Sequence, residues 1–344
     1  MIIIEKEKEI DKEVSKAELK KQLEQASSFI EVKQNIQLKS NEQIESERDI
    51  EKWKNAKPTD NNNYKEFRIP TELVKVLLST KEYYGLIFYG EGGIGKTFLT
   101  INEIKLNLKS DEWEYSNGYT TPLSLYEFLY VNRKKKVIIL DDVEGLFDNA
   151  VSMSILKGCL WDSDGKRIVQ YQSKSNKTDN LPSSFILDSK VIILCNKIVK
   201  QNDLTTRAMI TRTITYEFNF SYDSKLEVCK KLLNKRDDLS AEQKKKVFGL
   251  LKEHTSIATK DFNFRTLKKA IAFIKYNHNK SEELFKATTE TNEIIQIYLD
   301  VTETDCWNTK TQIEKFIEKT GMSRSKFFRI KKELKKEQSV PKFH

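Results

Sequence analysis

The sequence predicts an α/β fold: a parallel-sheet core followed by a helical lid and a C-terminal helical domain. Three observations predict it. A glycine-rich loop, Gly90 to Gly95, joins the apolar run Gly85-Leu86-Ile87-Phe88-Tyr89 to a helix-like stretch beginning at Phe98. Two further runs, Val137-Ile138-Ile139-Leu140 and Val191-Ile192-Ile193-Leu194, are continuously apolar, as central strands covered on both faces must be. Beyond Asn219 the pattern turns helical.

In chain order, residues 1–63 read as a charged helical arm. Ile10, Val14, Ala17, Leu23, Ala26 and Ile30 recur at helical intervals, a second charged stretch carries Ile44, Ile50 and Trp53, and Lys57 to Asn63 is a polar linker. The thin apolar stripe suits a solvated arm, with docking to a protein partner as the alternative. The core is expected over 64–220. Pro70 and Thr71 open a short helix, roughly Glu72 to Ser79, which leads into the first strand. Thr213 to Phe218 is a further strand. Helices over Leu226–Leu233, Ala241–Lys252 and Arg265–Lys275 make a lid over 221–285, and 286–344 form the last domain.

Composition narrows the function classes. Of 344 residues, 38% are apolar and 32% charged, the balance of a globular chain with a heavily charged surface. No apolar run approaches transmembrane length, and Met1-Ile2-Ile3-Ile4 is broken at once by Glu5-Lys6-Glu7-Lys8, so neither membrane span nor signal peptide is expected. A cytoplasmic location follows. Cys159, Cys195, Cys229 and Cys306 are widely spaced and histidines number three, which leaves little material for a zinc site or a histidine triad. The net charge of +9 favours a polyanionic partner, although an AT-rich, lysine-biased genome produces the same number.

The loop Gly90-Glu91-Gly92-Gly93-Ile94-Gly95-Lys96-Thr97, with Phe98 after it, has the form of a P-loop. Glycines let successive N–H groups converge on an anion, and the following helix adds the positive end of its dipole. Lys96 is placed for the β- and γ-phosphates of ATP and Thr97 for Mg²⁺. The run Val137 to Leu140 ends in Asp141-Asp142, two carboxylates at the C-terminal edge of a strand, where open α/β sheets bind ligands.

This pairing resembles Walker A and Walker B of the AAA+ ATPases, over roughly Phe67 to Asn277. The resemblance implies that Asp141 holds Mg²⁺ and that Asp142 polarises the attacking water, with Glu144 as substitute because relatives often carry the longer Glu there. Asn196, after Cys195, looks like sensor 1. Arg207-Ala208-Met209-Ile210-Thr211-Arg212 resembles the segment bearing the arginine finger, with Arg212 first choice and Arg207 in reserve. Such a finger implies a homo-oligomer, ring or filament. Arg265, in Asn263-Phe264-Arg265-Thr266, looks like sensor 2. Stretches from Gly118 to Leu123, Leu140 to Leu146 and Leu181 to Phe185 resemble plasmid- or phage-type ATPases. Gly92 to Thr97 and Leu140 to Val143 also resemble NB-ARC signalling switches; the absence of any proline between Pro182 and Pro341 removes the Gly-x-Pro lid motif of that class.

Two stretches point to DNA. Thr309-Lys310-Thr311-Gln312 has the capping-box form, Ile313, Phe316 and Ile317 mark an apolar face, Gly321 turns the chain, and Ser323 caps a helix with its own stripe, Phe327, Ile330 and Leu334. This is a helix-turn-helix pattern that presents Arg324, Ser325, Lys326, Arg329 and Lys332. Arg167 to Ser173 and Ser184 to Leu187 read as a hairpin, like the one carried by the hairpin-bearing AAA+ branch, with Lys174 and Lys177 at its tip. The expected function is an ATP-dependent, DNA-acting ATPase: a replication initiator, helicase loader or motor of a mobile element. A signalling switch and a DNA-binding regulator with ATP-controlled assembly are the alternatives.

Overall fold

The computed structural model describes residues 41–58, 64–118, 121–162, 164–172, 181–198, 203–304 and 307–338. The chain divides into two units, 1–57 and 58–344. In the first, helix α1 (Asn41–Asn55) is described; its polar sequence carries an exposed Asp49–Lys52 pair at 3.0 Å. The rest of the sequence-predicted arm lies outside the described residues.

The second unit is built on five parallel strands, β1 (Gly85–Gly90), β2 (Trp113–Asn117), β3 (Val137–Asp141), β6 (Lys190–Cys195) and β7 (Ile214–Phe218), in the order β2-β3-β6-β1-β7. The continuous apolar runs serve two cores, because successive side chains of a strand face opposite ways. Ile87, Ile138, Leu140, Val191 and Ile193 enter one hydrophobic cluster, and Leu86, Phe88, Val137, Ile139, Ile192 and Leu194 enter the other. Each cluster is closed by helices: α4 (Pro122–Val131) and α6 (Ala150–Leu160) on the first, α2 (Arg68–Ser79) and α3 (Lys96–Asn107) on the second. Helix α2 begins four residues before the position read from Pro70 and Thr71, and a 3-10 turn, Lys65–Phe67, precedes it.

Between β3 and β6 the chain forms the expected hairpin, β4 (Ile168–Gln170) antiparallel to β5 (Ser184–Ile186). Lys174 and Lys177 lie outside the described residues. Arg167, at the foot of the hairpin, is buried: its Nη1 donates to the carbonyls of Cys159 at 2.9 Å and Ser189 at 2.7 Å, and its guanidinium stacks on Tyr84 at 4.3 Å. Nothing in the local sequence distinguished this arginine from a surface one. The remaining short helices of the core are α5 (Glu144–Asp148) and α7 (Leu204–Ile210).

Helices α8 (Tyr222–Asn234), α9 (Ala241–His254), α10 (Phe264–Tyr276) and α11 (Ser281–Ala287) share a separate core around Val247, Leu251, Ile271 and Phe285. The last three, α12 (Glu293–Thr302), α13 (Thr309–Thr320) and α14 (Arg324–Gln338), pack round Tyr298, Phe316 and Phe327. Two details depart from the sequence reading. Asn308, not Thr309, caps α13, since its Oδ1 accepts from the N–H groups of Lys310 and Thr311, each at 3.0 Å. Ile317 stays 39% exposed because Gly321, at φ 67°, ends the helix and turns the next one onto Ile313 and Phe316 instead. Cys159, Cys195 and Cys229 are free, buried thiols; Cys306 lies outside the described residues.

Candidate functional site

The site lies at the C-terminal ends of β1, β3 and β6, where Lys96, Asp141 and Asn196 converge. Lys96 opens α3 yet is only 7% exposed. Its ammonium donates to the carbonyls of Gly90 at 2.8 Å and Glu91 at 2.9 Å, and to Asn196 Oδ1 at 3.2 Å. A buried ammonium is a local source of positive potential. Phosphate oxygens would replace those acceptors at a gain in charge complementarity.

Thr97 Oγ1 donates to Asp141 Oδ2 at 2.7 Å, and Tyr115 OH, from β2, donates to the same oxygen at 2.9 Å. Burial raises the Asp141 carboxyl above its ordinary value; the Thr97 and Tyr115 hydrogen bonds oppose the rise and the neighbouring Asp142 adds to it. The Tyr115 phenol is raised too, by burial first and by Asp141 second. A carboxylate made costly by burial, with a hydroxyl already beside it, is the donor set of a hard cation that takes its other ligands from phosphate and water. No group of three His, Cys, Asp or Glu among the described residues offers a self-contained metal site, so the residues fit a cation that arrives with a phosphate ligand.

Asp142 is exposed and sits in the left-handed region at φ 53°, which Asp tolerates better than most residues. Its N–H donates to Leu194 O at 3.1 Å, extending the β3–β6 pairing past the strand end. Glu144 opens α5 two residues on.

The lid meets the loop directly. Asn263 caps α10, and the N–H of Phe264 donates to Gly93 O at 3.1 Å. A Cβ on Gly93 would stand 2.9 Å from Asn263 Cγ and Oδ1 and 3.1 Å from Arg265 Cγ, so only glycine, at φ 75°, permits this approach. Arg265 Nη1 lies 3.8 Å from the place a Cβ on Gly92 would take, which brings the predicted sensor 2 to the loop. Glu91 pairs with Lys225 of α8. Gly95 packs against Phe67 and Phe264, Ile94 is buried in the second core, and Phe98 is 45% exposed. Glu66, beside Phe67, is 6% exposed with neither carboxylate oxygen partnered among the described residues. Lys225, Tyr115 and Glu66 escaped the sequence reading; Tyr115, in the middle of β2, reaches Asp141 only through its hydroxyl.

Arg212 lies elsewhere. It lies two residues before β7, whose Ile214 pairs with Leu86 while Phe218 pairs with Gly90. Arg212 therefore sits at the N-terminal edge of the sheet, six residues of register from Gly90, or about 20 Å at about 3.3 Å per residue. Arg207 is exposed on α7. In the last domain Arg324, Ser325, Arg329 and Lys332 are exposed along α14 and Lys326 is half-buried. Phe328, 40% exposed on the same helix with the Arg324 guanidinium 5.6 Å from its ring centre, was missed.

The strand that ends in Asn196 is inserted between the loop strand and the Asp141 strand, with the lid docked on the loop. The parallel-sheet α/β fold expected from the sequence is therefore present, with the glycine loop following β1. No protein-family model matches the chain, and no curated protein does so significantly. Among solved structures, the chain is similar to the replication initiator DnaA bound to AMPPCP and single-stranded DNA, at 18% identity and TM-score 0.39 over 69% of this chain and 68% of that one. Domain III of the Thermotoga maritima DnaA aligns at 15% identity and TM-score 0.38, over 73% of this chain and 91% of that one. A RuvB variant from Thermotoga maritima gives 11% identity and TM-score 0.42, over 81% and 98%. No described helix is long and apolar enough to cross a membrane.

Proposed function

We propose that the chain is a Mg-ATP-dependent AAA+ ATPase that acts on DNA, with catalysis at an interface between copies. The observation that carries this reading is the contact set of Gly90, Lys96, Thr97, Asp141 and Asn196, drawn from the ends of three strands and one helix. When bound, ATP would supply the phosphoryl group and Mg²⁺ the positive charge that offsets its oxygens.

The chain's own residues would divide the work. Lys96 exchanges its carbonyl partners for phosphate oxygens. Thr97 and Asp141 hold the cation, Asp141 through water. Asp142, or Glu144 in its place, polarises the attacking water, and Asn196 orients it from beside Lys96. Arg265 steadies the terminal phosphate from the lid. Arg212 stands at the far edge of its own sheet, so it serves only a neighbour's site, which is what makes the ATPase dependent on assembly. Arg207 is the substitute.

The DNA reading is supported by the outward row Arg324, Ser325, Arg329 and Lys332 on the second helix of a helix-turn-helix, with Lys174 and Lys177 of the hairpin as further candidates. An initiator, a loader or a motor of a mobile element all fit it. The test is the ATPase rate without DNA, with single-stranded DNA and with duplex, alongside oligomer mass with and without ATP. Mg²⁺-dependent turnover that rises with DNA, grows with assembly and disappears in Lys96→Ala is expected. A monomer hydrolysing ATP indifferently to DNA would overturn the reading.

A further inference from the structure

Trp161 follows the last residue of α6 and leaves 56% of its surface to solvent, an unusual exposure for so large an apolar ring. The Arg212 guanidinium carbon lies over that ring, 3.9 Å from its centre. On its other side Arg212 Nη1 donates to Ala208 O at 2.8 Å. The backbone beneath is fixed as well, since Arg212 N–H donates to Met209 O at 3.1 Å and Thr213 N–H to Ile210 O at 3.2 Å. Among the described residues no carboxylate pairs with Arg212, so the cation is oriented without being neutralised.

The apposition has a cause in the sheet. A Cβ on Gly85, the first residue of β1, would fall 2.3 Å from Leu160 Cδ2 and 2.8 Å from Thr213 Cγ2. Glycine there lets the end of α6 and the start of β7 close on each other, which sets residue 161 beside residue 212. An indole face attracts a guanidinium through its quadrupole and restricts a side chain that otherwise carries several free rotors.

We infer that Trp161 is a positioning residue for Arg212: it holds the guanidinium in one orientation at the sheet edge, ready for the phosphates bound by a second copy of this chain. This rests on the reading of Arg212 as a trans-acting arginine. A preset orientation removes reorganisation from the transfer step, and a displacement of about 1 Å there costs up to about 100-fold in rate.

The full-length chain is tested as Trp161→Ala, Trp161→Phe, Arg212→Ala and the Trp161→Ala/Arg212→Ala double variant, with kcat, KM for Mg-ATP and oligomer mass measured for each. Subunit mixing separates the two ideas. Lys96→Ala subunits, which keep the arginine, should rescue Arg212→Ala subunits, and Lys96→Ala/Trp161→Ala subunits should rescue them about tenfold less. Trp161→Ala should lower kcat about 10- to 100-fold with KM and mass unchanged, Trp161→Phe should recover most of it, and the double variant should be no worse than Arg212→Ala alone. Failure of Lys96→Ala subunits to rescue removes the trans-acting arginine itself. Rescue undiminished by Trp161→Ala, additive losses, or a Trp161→Ala defect confined to oligomer mass leaves that arginine standing and overturns the role given to Trp161.

Discussion

Gly93→Ala tests the junction of loop and lid. The backbone at φ 75° costs alanine about 1–2 kcal/mol. The new methyl would stand 2.9 Å from Asn263 Cγ and Oδ1, so Asn263 must move, and its Oδ1 is the acceptor that caps α10 through Arg265 N–H at 2.8 Å. Removing an Asn cap costs about 1 kcal/mol. Together these give a destabilisation of about 2–3 kcal/mol, or a Tm lower by roughly 4–12 °C at about 2–4 °C per kcal/mol. Gly249→Ala in α9 is the control: its Cβ would meet only Glu253 Oε1 at 3.9 Å, so helix propensity should raise stability by about 0.5–1 kcal/mol. Thermal unfolding of both variants without nucleotide reads stability, and titration with a fluorescent ATP analogue reads the loop. Gly93→Ala should bind at least about tenfold more weakly, because the Phe264-to-Gly93 bond at 3.1 Å is displaced with the lid. A Gly93→Ala protein with unchanged Tm and affinity, or one matched by Gly249→Ala, would refute the reasoning.

Three further expectations follow from the site. Asp141 has its carboxyl raised by burial, so the native state holds the proton to higher pH than the unfolded chain does; stability is lost as pH rises from the ordinary carboxylate value through the raised one. Asp141→Asn should therefore raise Tm at neutral pH while abolishing hydrolysis, with the gain shrinking on acidification; a neutral-pH loss of Tm would contradict this. Lys225→Ala leaves Glu91 unpaired beside the phosphate loop and should weaken ATP binding about tenfold, about 1.4 kcal/mol, with Glu91→Gln/Lys225→Ala restoring it in equilibrium titrations. Arg324→Ala/Arg329→Ala/Lys332→Ala should lower the salt dependence of duplex binding by roughly one unit of log–log slope for each phosphate no longer neutralised, and an unchanged slope would remove α14 from the interface.

The order of β1, β3, β6, β7 and the later helices was legible because each carried its own local signature, whereas β2 and helices α4 and α6 were not read from the sequence. Val137 to Leu140 and Val191 to Leu194 are apolar at every position, Gly90 to Thr97 has the spacing of a phosphate loop, and Phe327, Ile330 and Leu334 recur at helical intervals. Boundaries shifted where a single polar group decides them, as with Asn308 at α13. The partners of the site were not legible. Glu91 and Lys225 are separated by 134 positions and Thr97 and Asp141 by 44, and only the second pair belongs to a recurring motif.

By itself, then, the sequence determined the parts of the proposed site: a glycine loop, Lys96, Thr97 and a strand ending in two aspartates, whose local backbone freedom and charge suit a phosphate and a cation. The tertiary structure alone decided how that site is completed. The strand order puts Asn196 against Lys96 and sends Arg212 to the opposite edge of the sheet, the lid closes on Gly93, and the bare Cα of Gly85 brings Trp161 under Arg212. These are non-local contacts made by crossovers and close packing, which no window of sequence encodes.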